Sequence, residues 1–268
     1  MSQAQLQDSP AEEVLYEVSE HIATITINRE AVQNTISGAM LDRVTELFLK
    51  ADRDRDVRCI IFTGTGRFFC AGLDLRSGKV GESDAGNSTN LDLRSTPPTV
   101  MHNLDTPVIC ALNGSAAGYG MDMALGCDIR IMAEEAKMAA AFTARGIVPE
   151  SGGTWILPRL LGWSKAAELI FTGRTLTAAE SLELGLVSTV VPAAEVAERA
   201  RALAKEICAN APLAVQASKR MMRMGMNETF NDHVHHVFLQ LLPLFKTEDF
   251  KEGIASFMER RPADFKGR

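Results

Sequence analysis

Two short segments concentrate the residue types that could stabilise negative charge on a carbonyl oxygen. The first is Arg67-Phe68-Phe69-Cys70-Ala71-Gly72-Leu73-Asp74-Leu75, where a strand ending at Thr63 turns through Gly64 and Gly66 and then offers Gly72 ahead of an acid. The second is Ala111-Leu112-Asn113-Gly114-Ser115-Ala116-Ala117-Gly118-Tyr119-Gly120-Met121-Asp122, where a strand feeds small residues into a helix. The first N–H groups of a helix lack intrahelical acceptors and its dipole is positive at that end, so this junction suits an oxygen gaining charge. Taken singly, either junction also reads as plain packing. Nucleotide cradles fit worse: a GxGxxG reading puts Phe69 or Met123 where the third glycine belongs, and no GxxxxGKS or GxxxxGKT run exists.

The elements that must position these segments follow from periodicity. Val14 to Val18 and Ile22 to Asn28 alternate apolar and polar residues around a short turn, the pattern of a hairpin. From Gly38 the period changes, and Met40, Leu41, Val44, Leu47, Phe48 and Ala51 fall on one helical face. Buried-type strands are expected over Cys59 to Thr63, Val108 to Leu112 and Ile129 to Met132, with a helix between the last two running to about Gly126. Residues 77–98 lack hydrophobic periodicity and read as one long loop, which at this length is either functional or mobile. Helices are expected over Thr154 to Leu161 and Lys165 to Phe171, and Thr177 with Glu180 forms a capping box that opens the next one. Beyond Pro192 the chain reads as almost wholly helical, so the fold class is an α/β core with a helical C-terminal extension.

Composition bounds the partners. With 268 residues and 46% hydrophobic content the chain can bury a substantial core without disulfides or metals. A formal charge of −6 argues against coating a nucleic-acid duplex. The five cysteines, without CxxC spacing, read as buried reduced thiols, which points to the cytoplasm. The polar, acidic start through Glu13 lacks the features of a secretory or transit signal, and no apolar run approaches a membrane span.

Together and in this order, the two segments resemble the signatures of the crotonase (enoyl-CoA hydratase/isomerase) superfamily. The likeness extends through Ile27-Asn28-Arg29 with Asn34, through 146–154 (Gly-Ile-Val-Pro-Glu-Ser-Gly-Gly-Thr), through 172–187, and through the ending that contains Phe257 and Arg260. The resemblance implies a right-handed spiral of ββα units over residues 1–195 and a helical trimerisation region over 196–268, in homotrimers or hexamers. It implies acyl-CoA thioester substrates, with no cofactor beyond the coenzyme A of the substrate and no metal. Carried over, the oxyanion hole would be the backbone N–H groups of Leu73 and Tyr119. Ala71 and Asp74 would lie on the coenzyme A wall, and Phe257 and Arg260 would reach the coenzyme A of a neighbouring subunit.

Hydratases of the family use two glutamates. At the first of those positions this sequence has Asp122, three residues after Tyr119 and so on the same helical face; at the second it has Phe142, which can neither give nor take a proton. Isomerases of the family place one carboxylate near Glu150, which makes Glu150 the expected main base, Asp122 its assistant, and double-bond isomerisation slightly favoured over hydration. The alternatives are hydrolysis or dehalogenation with Glu150 as nucleophile, and a non-catalytic acyl-CoA- or RNA-binding member. Cys70 reads as a small buried residue, and His233, His235 and His236, lacking the i,i+4 pairing of a helical zinc site, as a solvated helix face.

Overall fold

The computed structural model describes residues 10–74, 96–149 and 151–268. The chain opens with α1 (Pro10–Glu13), β1 (Val14–Ser19) and β2 (Ile22–Ile27), then α2 (Gly38–Arg53), β3 (Cys59–Gly64) and β4 (Phe68–Cys70). There follow α3 (Pro97–Asn103), β5 (Val108–Leu112), β6 (Ser115–Ala117), α4 (Tyr119–Gly126), β7 (Ile129–Ala133) and β8 (Lys137–Ala139). The remainder is α5 (Gly153–Leu161), α6 (Trp163–Thr172), β9 (Thr175–Thr177), α7 (Ala178–Glu183) and β10 (Thr189–Val191). Last come α8 (Val196–Cys208), α9 (Pro212–Gly225), α10 (Phe230–Leu244) and α11 (Glu248–Glu259).

Among the described residues the strands form two sheets, ordered β1-β2-β3-β5-β7-β10 and β4-β6-β8-β9. The chain alternates between them: each of β3, β5 and β7 lies in the large sheet and is followed at once by a short strand in the small one. Successive turns of this path are parallel, as in β3 with β5 and β4 with β6, and produce the spiral of ββα units. Every residue of β5 is buried, as expected for an interior parallel strand covered on both faces. Phe62 bridges the layers, edge-on to Phe48 of α2 at 5.2 Å and to Phe69 of β4 at 5.3 Å.

Local chemistry explains most element limits. Glu20 and His21 both take positive φ (52° and 64°), the left-handed pair that turns a two-residue hairpin. The Ser37 side chain caps α2 by accepting from the Met40 N–H, and Met40, Val44, Leu47, Phe48 and Ala51 are its buried stripe. The Thr177–Glu180 capping box opens α7.

Three features differ from the sequence expectations. The small sheet was not foreseen, because its strands have three residues each, too few to show an alternation. Pro97 and Pro98 open α3 rather than ending a loop, proline being favoured in a first helical turn; the rest of the loop expected over 77–98, through residue 95, lies outside the described residues. Packing also carries the core past residue 195, since α8 buries Ala200 and Ala204 against the large sheet. By contrast α10 has no buried residue. Among the described residues no helix is long and apolar enough to cross a membrane.

Candidate active site

The two glycine-bearing segments meet because β4 and β6 are neighbours. Their parallel pairing sets Phe68 beside Ser115 and Cys70 beside Ala116, so the turns leaving the two strands emerge side by side. Gly72 (φ +105°) and Gly118 (φ +51°) occupy backbone conformations that side chains disfavour. A Cβ on Gly72 would lie 3.0 Å from the Ala117 carbonyl oxygen and 3.8 Å from Tyr119 N, which measures how closely the turns approach.

The first turn is held from behind by the segment after β2. Ile36 N–H donates to Gly72 O and Asp74 N–H donates to Ile36 O, each at 2.9 Å, while Ala71 N–H donates to Gln33 O at 3.1 Å. In such a parallel bridge the flanking residues make the bonds, so the N–H of Leu73 points to the opposite edge, the one that β6 occupies. Asn34, fully buried, donates to Thr65 O and Phe68 O and accepts from Arg29 N–H. Arg29 reaches Asp74 Oδ2 at 3.2 Å, Glu13 Oε1 at 2.6 Å and Thr35 O at 2.9 Å.

The second turn feeds α4, whose eight residues are all buried. Tyr119 is the first of them, so its N–H belongs to the set that has no acceptor within the helix. At the other end, Arg130 donates to the carbonyls of Cys127, Ala124 and Leu125, and to Leu186 O from another segment. Burial lowers the pKa of that guanidinium, which the carbonyl dipoles at the helix end compensate. The helix is thus anchored at both ends.

Leu73 and Tyr119 line one cavity of about 110 Å³, together with Ala71, Phe142, Arg145 and Ile147. Phe142 is 1% exposed and gives this cavity an apolar wall. Asp122 does not line it. Its carboxylate, also buried, accepts from Ser151 N–H at 3.3 Å and faces the start of α5, where a Cβ on Gly153 would come within 2.4 Å of Oδ1. Only glycine leaves room there. Glu150 lies outside the described residues; its neighbours Pro149 and Ser151 are both buried beside this carboxylate.

Other residues singled out in the sequence sit as follows. Ala71 lines the cavity, whereas Asp74 is turned to Arg29. Phe257, 80% exposed, and Arg260, which ends α11 in a left-handed conformation (φ 54°), belong to the C-terminal helices and do not line the cavity. Cys70 is fully buried beside the turn, and burial pushes its thiol up to about 12, so it is a packing residue and not a thiolate. His233 and His236 both point Nδ1 at the Glu228 carboxylate, at 3.1 and 2.9 Å. Arg145 and the bracing role of Arg29 were not read from the sequence. Arg145 follows a three-residue strand and sits on a short turn, where no periodicity says which way a side chain points.

A profile of the enoyl-CoA hydratase/isomerase family matches residues 17–268. The chain is 36% identical to the enoyl-CoA hydratase ACTT3 of Alternaria alternata over 246 residues, covering 91% of this chain and 82% of that protein. It is 32% identical to the 1,2-epoxyphenylacetyl-CoA isomerase of Escherichia coli (strain K12), covering 95% of this chain and 98% of that protein. The crystal structure of an enoyl-CoA hydratase from Bacillus anthracis superposes with a TM-score of 0.88 at 34% identity, covering 96% of this chain and 100% of that one.

Proposed function

Because the chain belongs to the enoyl-CoA hydratase/isomerase family, we propose that it holds the oxygen of an acyl-CoA thioester, as an enolate forms, between the N–H groups of Leu73 and Tyr119. The observation that carries this reading is the single cavity on which both residues border, at a junction of two turns that abut. Removing a proton from the α-carbon leaves an electron pair whose negative charge is delocalised onto the thioester oxygen. A preorganised amide donor aimed there contributes about 3 kcal/mol of transition-state stabilisation.

Glu150 is the main base and Asp122 assists. Moving a double bond from the β,γ to the α,β position needs one carboxylate to take a proton from one carbon and return it to another. Hydration needs one group to activate water and a second to protonate the α-carbon, and the buried Phe142 can serve as neither on its side of the cavity. Isomerisation is therefore favoured over hydration. Asp122 acts from the start of α5, where its carboxylate accepts from Ser151 N–H. The coenzyme A passes Ala71 and Asp74 and is met by Phe257 and Arg260 of a neighbouring subunit. Trimers, singly or paired as hexamers, bury the apolar face of α10 and α11, on which Phe230, Phe238, Ile254 and Phe257 are exposed.

The test is incubation with saturated and β,γ-enoyl-CoA esters in D₂O, following α-proton exchange, double-bond position and release of coenzyme A. Exchange and isomerisation lost in Glu150→Gln but kept at reduced rate in Asp122→Asn fit this assignment. Release of free coenzyme A would replace it with hydrolysis, and tight binding without exchange would make the protein a binding module.

A further inference from the structure

The cavity between the two turns is built from backbone and apolar groups, with one exception. Arg145 is the one charged side chain among the described residues that line it. It ends a 3-10 turn (Thr143–Arg145) that Gly146 closes at φ 74°, directly after the buried Phe142. Its Nη1 donates to Ala141 O at 2.7 Å, which fixes the guanidinium and leaves the Nε–Nη2 edge to donate elsewhere. Among the described residues Arg145 makes no ion pair, although arginines elsewhere on this surface do: Arg174 pairs with Glu168 and Glu180, and Arg261 with Glu252 and Glu259. A planar two-donor edge beside an apolar pocket fits a carboxylate in fork geometry.

We propose that Arg145 selects acyl-CoA thioesters whose acyl part itself carries a carboxylate, so that the preferred substrates are monothioesters of dicarboxylic acids. The inference rests on the reading that this cavity receives the thioester. The source of the anion follows from connectivity. The phosphates of coenzyme A are separated from the thioester by the whole pantetheine arm, so they cannot enter the 110 Å³ space that also holds the thioester oxygen. A carboxylate on the acyl part can. Arg145 thereby discriminates by charge in a site whose other described walls discriminate by shape.

The test compares dissociation constants of hexanoyl-CoA and adipoyl-CoA by calorimetry, in the natural protein, Arg145→Leu and Arg145→Lys, and turnover of their unsaturated counterparts. The natural protein is expected to bind adipoyl-CoA at least about tenfold more tightly, a ratio that collapses toward one in Arg145→Leu and survives in part in Arg145→Lys. A natural ratio near one, or a ratio that Arg145→Leu leaves intact, overturns the proposal. So does an equal loss for both thioesters that vanishes with their N-acetylcysteamine esters, because the contact is then with the phosphates. If the ratio behaves as expected but no ester is exchanged or isomerised, the reaction assigned above fails while the charge selection stands.

Discussion

Around the paired turns the backbone is held by bonds to other segments, Ala71 N–H to Gln33 O, Ile36 N–H to Gly72 O and Gly118 N–H to Ala139 O among them. Asn34 ties three segments together, Arg29 binds two carboxylates, and α4 is buried along its whole length. In α10 no residue is buried, and Phe230 and Phe238 face outward at 81% and 53% exposure, as does Phe245 just beyond the helix at 44%. Both regions are rich in apolar residues, yet α10, although it packs against α9, leaves its apolar side chains exposed. The difference teaches that the spiral fixes its two turns with bonds of its own, while the last helices leave an apolar face uncovered, the composition that the proposed subunit contact needs.

The largest effect is expected where the two turns touch. A Cβ on Gly120 would lie 2.2 Å from the Cys70 carbonyl oxygen, so Gly120→Val must push α4 off β4. A loss of at least about 3 kcal/mol in urea unfolding is expected, with turnover abolished. Retention of both would break the contrast at its firm end. Asn34→Ala comes next. It removes two donors and an acceptor from a fully buried site and leaves their partners unsatisfied, a loss on the order of 2–4 kcal/mol, with the same measurement deciding.

At the other end of the comparison, Phe238→Asp charges the exposed face of α10. Light scattering should report a lower molar mass with an unchanged far-ultraviolet spectrum, the spiral remaining folded. An unchanged mass would show that another surface makes the assembly. The smallest effect is a null result. Burial raises the Cys70 thiol to about 12, so at pH near 8 it is almost wholly protonated and the reactive thiolate is scarce. Iodoacetamide under those conditions should leave Cys70 unmodified in the native protein and label it in urea, as read by mass spectrometry.

The contrast also describes what was legible in the sequence. Long periodic elements such as α2 and the C-terminal helices declare themselves because a 3.6-residue period accumulates over their length, and β5 shows as an unbroken apolar run. The turns at Gly72 and Gly118 were visible as chemistry before they were visible as structure, since positive φ demands glycine. The small sheet was illegible at three residues per strand, although it is what brings the turns together. Asp122 was expected beside the oxyanion donors from helical spacing. Its carboxylate instead engages the start of α5, a partner 29 residues away whose approach depends on Gly153 and cannot be read from local period. The direction of Arg145 was hidden for the same reason.

The most direct test is vibrational. A saturated acyl-CoA with carbon-13 at the thioester carbonyl is bound to the protein, and the isotope-edited infrared difference spectrum is recorded. Two amide donors converging from positions 73 and 119 should move the carbonyl stretch well below its frequency in water, as a lengthened, polarised bond requires. A stretch at or above the aqueous value would contradict the account, because the oxygen would then lie against the apolar wall instead of between the two turns.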